Sequence, residues 1–367
     1  MIFLAGIWLF TIVFAGAIAY EVWMSHSAKT NSRNPYSAFT EAHPHPIYFS
    51  FFPLKPEDRK AINNEVVSVT PDGFRGAGPR KNEPTGVLTG ASQAFGAYAS
   101  SDETTISGYL NKLQEKIHFI NAAVPSWNSP QVLHRFADQI VPMQPEIVIS
   151  YGFWNDVAIA YRNAISGYDF PIGSPEGFHE LLKIVTDNTQ AGWINFRGDR
   201  FFPHTRDLLE DLWGKPKKRM TPLTEKHRDN VKEKVKAAVL QYIWNERIMH
   251  AVGDSMGFRV VTIIPPMLRT HENVAEEDRK DDSDWWVFKF ARDEVMASDF
   301  CRQHCLDYSR YFDSRFDPIP VYRNRETRDV RSLIFADKAH LLDLGNEMIA
   351  RQIARDLRLD EAKASSP

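Results

Sequence analysis

The stretch Thr85-Gly86-Val87-Leu88-Thr89-Gly90-Ala91-Ser92-Gln93-Ala94-Phe95-Gly96 carries the first piece of usable chemistry. A short apolar run breaks at Gly90, presents one hydroxyl at Ser92, and continues through small residues to Gly96. This pattern ends a buried strand in a tight turn with the serine at its tip. A serine held there is a candidate nucleophile, because the surrounding N–H groups can face an incoming oxyanion. The second piece is Asp337-Lys338-Ala339-His340. With this spacing the carboxylate can accept a hydrogen bond from one ring nitrogen of His340, leaving the other free to take a proton from a serine. The third is Ile147-Val148-Ile149-Ser150-Tyr151-Gly152-Phe153-Trp154-Asn155-Asp156, an apolar strand that ends on an amide side chain.

Serine, asparagine and Asp-x-x-His, in this order and each after an expected strand, form a joint signal stronger than any one of them. Here the chain resembles the SGNH/GDSL hydrolases, specifically bacterial members with an N-terminal membrane segment and a lead-in like Asp72-Gly73-Phe74-Arg75-Gly76. The family's first block resembles residues 90–96 and its second Asn121-Ala122-Ala123-Val124-Pro125-Ser126-Trp127. Its third resembles Phe153-Trp154-Asn155-Asp156 and its last Asp337 to His340. The resemblance covers roughly residues 45–357. Three positions depart from it. Ala91 replaces the aspartate of the family name, which takes no part in the chemistry. Ser126 stands where the second block has a glycine, and a positive φ would strain a serine there. Phe153 stands where the third block has glycine, unless Gly152 fills that role.

The resemblance implies a serine esterase. His340 is the general base on Ser92, Asp337 fixes its tautomer, and the N–H groups of Ser92 and Ser126 with the Asn155 amide hold the oxyanion. It further implies O-acyl, above all O-acetyl, esters on a cell-surface polysaccharide. An acyltransferase, a lipid or thioester hydrolase, and an inactive glycan-binding assembly component are the alternatives. Trp127 and Trp154 neighbour two oxyanion positions and are candidates for stacking on sugars, with core packing as the competing reading.

The elements that must position these residues alternate. Strands are expected at 87–89, 118–124, 146–151, 259–264 and 332–335, with helices at 106–116, 130–141, 226–256 and 342–357. Apolar strands alternating with amphipathic helices predict a three-layer α/β/α domain with a mostly parallel, flavodoxin-like sheet. Sites in such sheets lie at the carboxyl ends of the strands. Residues 157–225 interrupt the pattern as a possible cap or an edge cover. Gly253-Asp254-Ser255 spells the family name literally, but it belongs to a helix stop on the wrong side of the sheet.

At 367 residues, 43% hydrophobic and 25% charged, the chain can bury a large core. Its net charge is −3, and scattered cations argue against a nucleic-acid partner. The run Lys215 to Arg219 reads as a solvated loop. Met1 to Tyr20 has no charged side chain and is long enough to cross a bilayer, so 1–24 is read as a transmembrane anchor or uncleaved signal. A linker at 25–42, the hydrolase domain at 43–360 and a disordered tail at 361–367 follow. Lys29 and Arg33 weakly favour a cytoplasmic domain, whereas the resemblance implies a single-pass protein with an extracytoplasmic one. Oligomeric state is unspecified. His43 and His45 lack further ligands at suitable spacing, so no metal is expected, and neither is a cofactor. Cys301 and Cys305, four apart in an expected helix, are read as two buried thiols.

Overall fold

Five short runs, the first four of them largely buried, pair into a single parallel sheet: β1 Thr85–Gly90, β2 His118–Asn121, β3 Ile147–Tyr151, β4 Arg259–Ile264 and β5 Cys305–Asp307. The computed structural model describes residues 66–166, 225–279, 284–323 and 330–359, with strand fragments at 48–49, 52–53 and 62–63. These residues belong to one compact unit spanning 35–168 and 224–367. The strand order is β2-β1-β3-β4-β5, all parallel, with Val87 opposite Val148 and Val148 opposite Val260. The order reverses between β1 and β3, which makes the crevice at their carboxyl ends the natural place for a site.

Alternating side chains serve two layers. Leu88, Ile149 and Ile263 pack with Ile106 and Leu110 of α2 (Ile106–Leu113) and with Ile349 and Ile353 of α8 (Asp343–Asp356). Val87, Val148 and Val260 pack instead with Val132 of α3 (Ser129–Arg135) and Met249 of α5 (Glu225–Met256). A single helical turn, α1 (Ser92–Phe95), follows β1. Gly90 makes this possible: its φ is 145°, and a Cβ there would meet the Tyr151 carbonyl oxygen at 2.1 Å.

Helix α4 (Trp154–Ser166) does not turn back over the sheet. The Tyr242 hydroxyl of α5 donates to Gly152 O at 3.1 Å, and Asn230 Nδ2 donates to Ala164 O at 3.1 Å. The two helices therefore run antiparallel, and only the C-terminal half of α5, where Met249 packs on Val148 and Val260, covers strands. From Tyr242 back to Asn230 the helix extends about 18 Å past the carboxyl edge at 1.5 Å per residue. Residues 157–166, expected to begin an insertion, are thus part of this helix pair. Residues 167–224 of that segment, the 1–24 anchor, the 25–42 linker and the 361–367 tail lie outside the described residues. Among the described residues no helix is long and apolar enough to cross a membrane.

Two expectations change here. Residues 332–335 form no strand: Phe335 makes only isolated bridges to Val321 and Leu341, and the fifth strand is β5. Cys301 and Cys305 are joined in a disulfide, with Cα atoms 4.5 Å apart. The helix expected over 284–311 is broken into α6 (Trp285–Ala297) and α7 (Asp299–His304), and Cys305 has extended φ and ψ of −102° and 136°. The pair thus straddles a helix–strand junction, where a bridge closes.

The lead-in segment is tied to this frame by Arg75, 3% exposed. Its guanidinium donates to Phe95 O, Gly96 O, Val66 O and Ser101 O and pairs with Asp102 at 2.8 Å. Asp102 in turn accepts from Ser68 N and Oγ. Replacing Arg75 with methionine removes a donor from four carbonyls and the counter-charge from Asp102, so Arg75→Met should cost about 3–5 kcal/mol in urea unfolding. A loss below about 1 kcal/mol would show that the guanidinium does not hold this region.

Candidate active site

Ser92 is the first residue of α1, with Ala91 extended before it at φ −107°. From the far end of the chain, Asp337 folds its own loop: Oδ1 accepts the N–H groups of Ala339 (2.7 Å) and His340 (2.8 Å). Its other oxygen, Oδ2, lies 2.8 Å from His340 Nδ1, and His340 Nε2 lies 2.8 Å from Ser92 Oγ. Burial alone would raise the Asp337 carboxyl, but the hydrogen bond and charge of His340 with the two N–H groups outweigh it and leave it below the ordinary value. An ionised Asp337 accepts a hydrogen bond from Nδ1–H, which fixes the tautomer and leaves Nε2 to accept from the serine hydroxyl. The ring of Tyr98 lies 5.0 Å from that of His340.

The loops after β2 and β3 meet beside this line. Val124 N donates to Gly90 O (3.0 Å), and Asn155 Nδ2 donates to Trp127 O (2.8 Å), leaving the amide a second N–H. Ser126, exposed, has φ 67°, and Phe153 has φ 153°. Both departures thus adopt backbone conformations that favour glycine. Phe153 is kept there by Trp154 and Tyr242, with ring centroids at 4.8 and 4.9 Å.

Trp127 and Trp154 do not offer faces to a sugar. They are 5% and 4% exposed, and Trp154 Nε1 is committed to Pro265 O at 2.9 Å. Apolar burial is worth more to an indole in this position than a solvent-facing rim would be. Ser255 is exposed near the C-terminus of α5, just before β4 begins, at the opposite end of the strands from Ser92. Among the described residues no cluster of histidine, cysteine and carboxylate groups could hold a metal.

Behind the loops lies a polar layer that the motifs did not single out. Asp156, next to Asn155, accepts from Ser129 N and Oγ, and Asn245 donates to the same Oγ at 2.9 Å. Glu246 accepts from Ser150 Oγ (2.8 Å) and Thr262 Oγ1 (2.6 Å). These carboxyls line a small cavity with Gly90, Ala91, Trp127 and Phe153. The signal for Glu246 was present in the chain: it is the one acid on the stripe Val235, Val239, Tyr242, Glu246, Met249 of α5, all buried.

Burial pushes Asp156 up to about 6 and Glu246 up to about 7, with the neighbouring Asp156 charge adding to the latter. Above the ordinary value of 4.5 the unfolded chain loses the Glu246 proton while the native state keeps it, so stability falls as pH rises to about 7 and then levels. Relative to Glu246→Gln, the wild type should lose about 2–3 kcal/mol between pH 4.5 and 8, read by urea unfolding across pH. Parallel curves for the two proteins would contradict a buried carboxyl that ionises late.

No protein-family profile matches the chain, and no curated protein does. Among solved structures, it is similar to the acetyl xylan esterase AlAXEase, at 12% identity and TM-score 0.37, covering 74% of this chain and 99% of that one. It is similar to the lipase/acylhydrolase from Enterococcus faecalis at 14% identity and TM-score 0.36, covering 75% and 95%. A GDSL-like lipase from Bacteroides thetaiotaomicron VPI-5482 follows at 12% identity and TM-score 0.35, covering 78% and 92%. Likenesses at these scores place no weight on the chemistry, which stands on the site's own geometry.

Proposed function

We propose that this protein is a serine ester hydrolase acting through Ser92, His340 and Asp337, with O-acetyl groups on a polysaccharide as its substrate. The observation that carries the reading is the unbroken line from Asp337 Oδ2 to His340 Nδ1 and from His340 Nε2 to Ser92 Oγ, each step 2.8 Å. Ser92 Oγ attacks the ester carbonyl as His340 Nε2 takes its proton, and the imidazolium then protonates the departing sugar oxygen. Water, deprotonated by the same nitrogen, hydrolyses the acyl-enzyme. The oxyanion is met by the N–H groups of Ser92 and Ser126 and by the second N–H of Asn155. An inactive binding role is disfavoured by the same line of contacts, since folding alone does not require a serine, a histidine and a carboxylate in register.

The glycan-borne acetyl rests on the resemblance of the motifs to those of membrane-anchored hydrolases. An anchor formed by residues 1–24 is supported by Met1 to Tyr20, which has no charged side chain. The extracytoplasmic placement is supported by the Cys301–Cys305 disulfide, which suits an oxidising compartment.

Fluorophosphonate labelling tests the reading. Wild type should label at one site. Ser92→Ala should abolish labelling, His340→Ala should slow it by roughly 10⁴-fold or more, and Ser255→Ala should leave it unchanged. Asn155→Ala should lower kcat on 4-nitrophenyl acetate about 10²- to 10³-fold. A folded wild type that does not label would overturn the hydrolase reading. Faster turnover of a long-chain lipid ester than of acetylated xylo-oligosaccharide would overturn the substrate.

A further inference from the structure

Gln93 directly follows the nucleophile, and its side chain points to a task of its own. Nε2 donates to Pro266 O at 2.9 Å and to Ala339 O at 2.7 Å, partners 173 and 246 residues away. Both N–H groups of one amide are therefore used, each on a different loop. Pro266 lies in the segment just after β4, and Ala339 is the residue before His340. The same two loops are joined beyond Gln93 by Leu268 N to Lys338 O at 3.1 Å. Among the described residues no backbone–backbone hydrogen bond joins 91–97 to 336–341. The serine turn and the histidine loop thus meet through the Ser92–His340 contact and this amide, flanked by the Tyr98 ring beside His340 and by Ser100 bonded to Asp343.

We propose that Gln93 is a positioning residue: by holding the Ala339 carbonyl against the serine turn it sets the distance and angle between Ser92 Oγ and His340 Nε2. The proposal rests on the hydrolase reading and adds to it the residue that aligns the base with its nucleophile. Two convergent carbonyls demand two donors on one flexible stem. Glutamine supplies them without charge. Glutamate would oppose a carboxylate to both oxygens, methionine would fill the space with no donor, and lysine would reach with three. A misplacement of about 1 Å between base and nucleophile is enough to lower a rate about 10²-fold.

The test compares full-length wild type, Gln93→Met, Gln93→Asn and Gln93→Lys by three readouts. These are fluorophosphonate labelling rate, kcat and KM on 4-nitrophenyl acetate, and the downfield proton resonance of His340 Nδ1–H, assigned by its loss in His340→Ala. Gln93→Met should lower kcat and labelling roughly 10- to 100-fold with KM within about twofold, and shift or broaden the Nδ1 proton. Gln93→Lys should recover most of the rate and restore the resonance, which a merely structural role would not produce. Should Gln93→Met fail to fold, Gln93→Asn, one methylene short of spanning both carbonyls, carries the same comparison. A methionine variant with wild-type rates and an unmoved resonance would overturn the proposal, as would a lysine variant no better than methionine. A wild type that shows the resonance but does not label would remove the hydrolase reading, and the resonance of the variants would still decide whether Gln93 aligns His340.

Discussion

The arrangement depends on satisfying backbone carbonyls where the chain leaves its ladders, and Arg75 is the clearest instance. The turn that carries Ser92 is only four residues long, so Phe95 O and Gly96 O have no continuing helix to bond them. The Arg75 guanidinium takes both and anchors itself on Asp102. Arg135, fully buried, does the same for the lead-in, donating to Ala122 O, Asp72 O and Gly73 O. Each side chain gathers acceptors from segments distant in sequence. Planar guanidinium donors suit this better than ammonium groups, because they serve several fixed directions at once. The segment around Asp72 to Gly76 is therefore a part of the site's foundation although it contributes nothing to its surface.

On that foundation three loops are stitched at one edge of the sheet. The second and third are joined twice, by Asn155 to Trp127 O and by Asp156 to Ser129. This double tie explains how Ser126 and Phe153 persist at positive φ. Such conformations cost of order 1–3 kcal/mol each. Packing of Phe153 between two rings and the buried carboxyl bonds behind it over-determine the loop and offset that cost. An altered side chain at a glycine-favouring position thus preserves the direction of the backbone, which is what an oxyanion-binding N–H requires.

Ser92, Asn155 and the Asp337–His340 pair were legible because chemistry restricts residue type and spacing, and because Ser92 and Asn155 each follow a strand whose apolar run is unmistakable. The strand at 259–264 and the helix at 225–256 were legible from periodicity for the same reason. Other features depended on long-range partners. The disulfide was missed because helix periodicity continues through Cys301 while the chain turns extended at Cys305. The fifth strand was misplaced because three half-buried residues carry no alternation. For Trp127 and Trp154 the sequence leaves sugar stacking and core packing both open, and indole burial decides for the core. Gln93 left no signal beyond its neighbour, since its partners lie 173 and 246 residues on.

The antiparallel run of α4 and α5 beyond the sheet has a consequence for the chain's modularity. Ala164 and Asn230 are hydrogen-bonded neighbours, so the polypeptide leaves this helix pair and re-enters it at adjacent points. Whatever is threaded between them is topologically a pendant: lengthening, shortening or exchanging it changes loop entropy only logarithmically and shifts no strand register. The α/β frame can in this way acquire or shed an accessory segment without renegotiating its core.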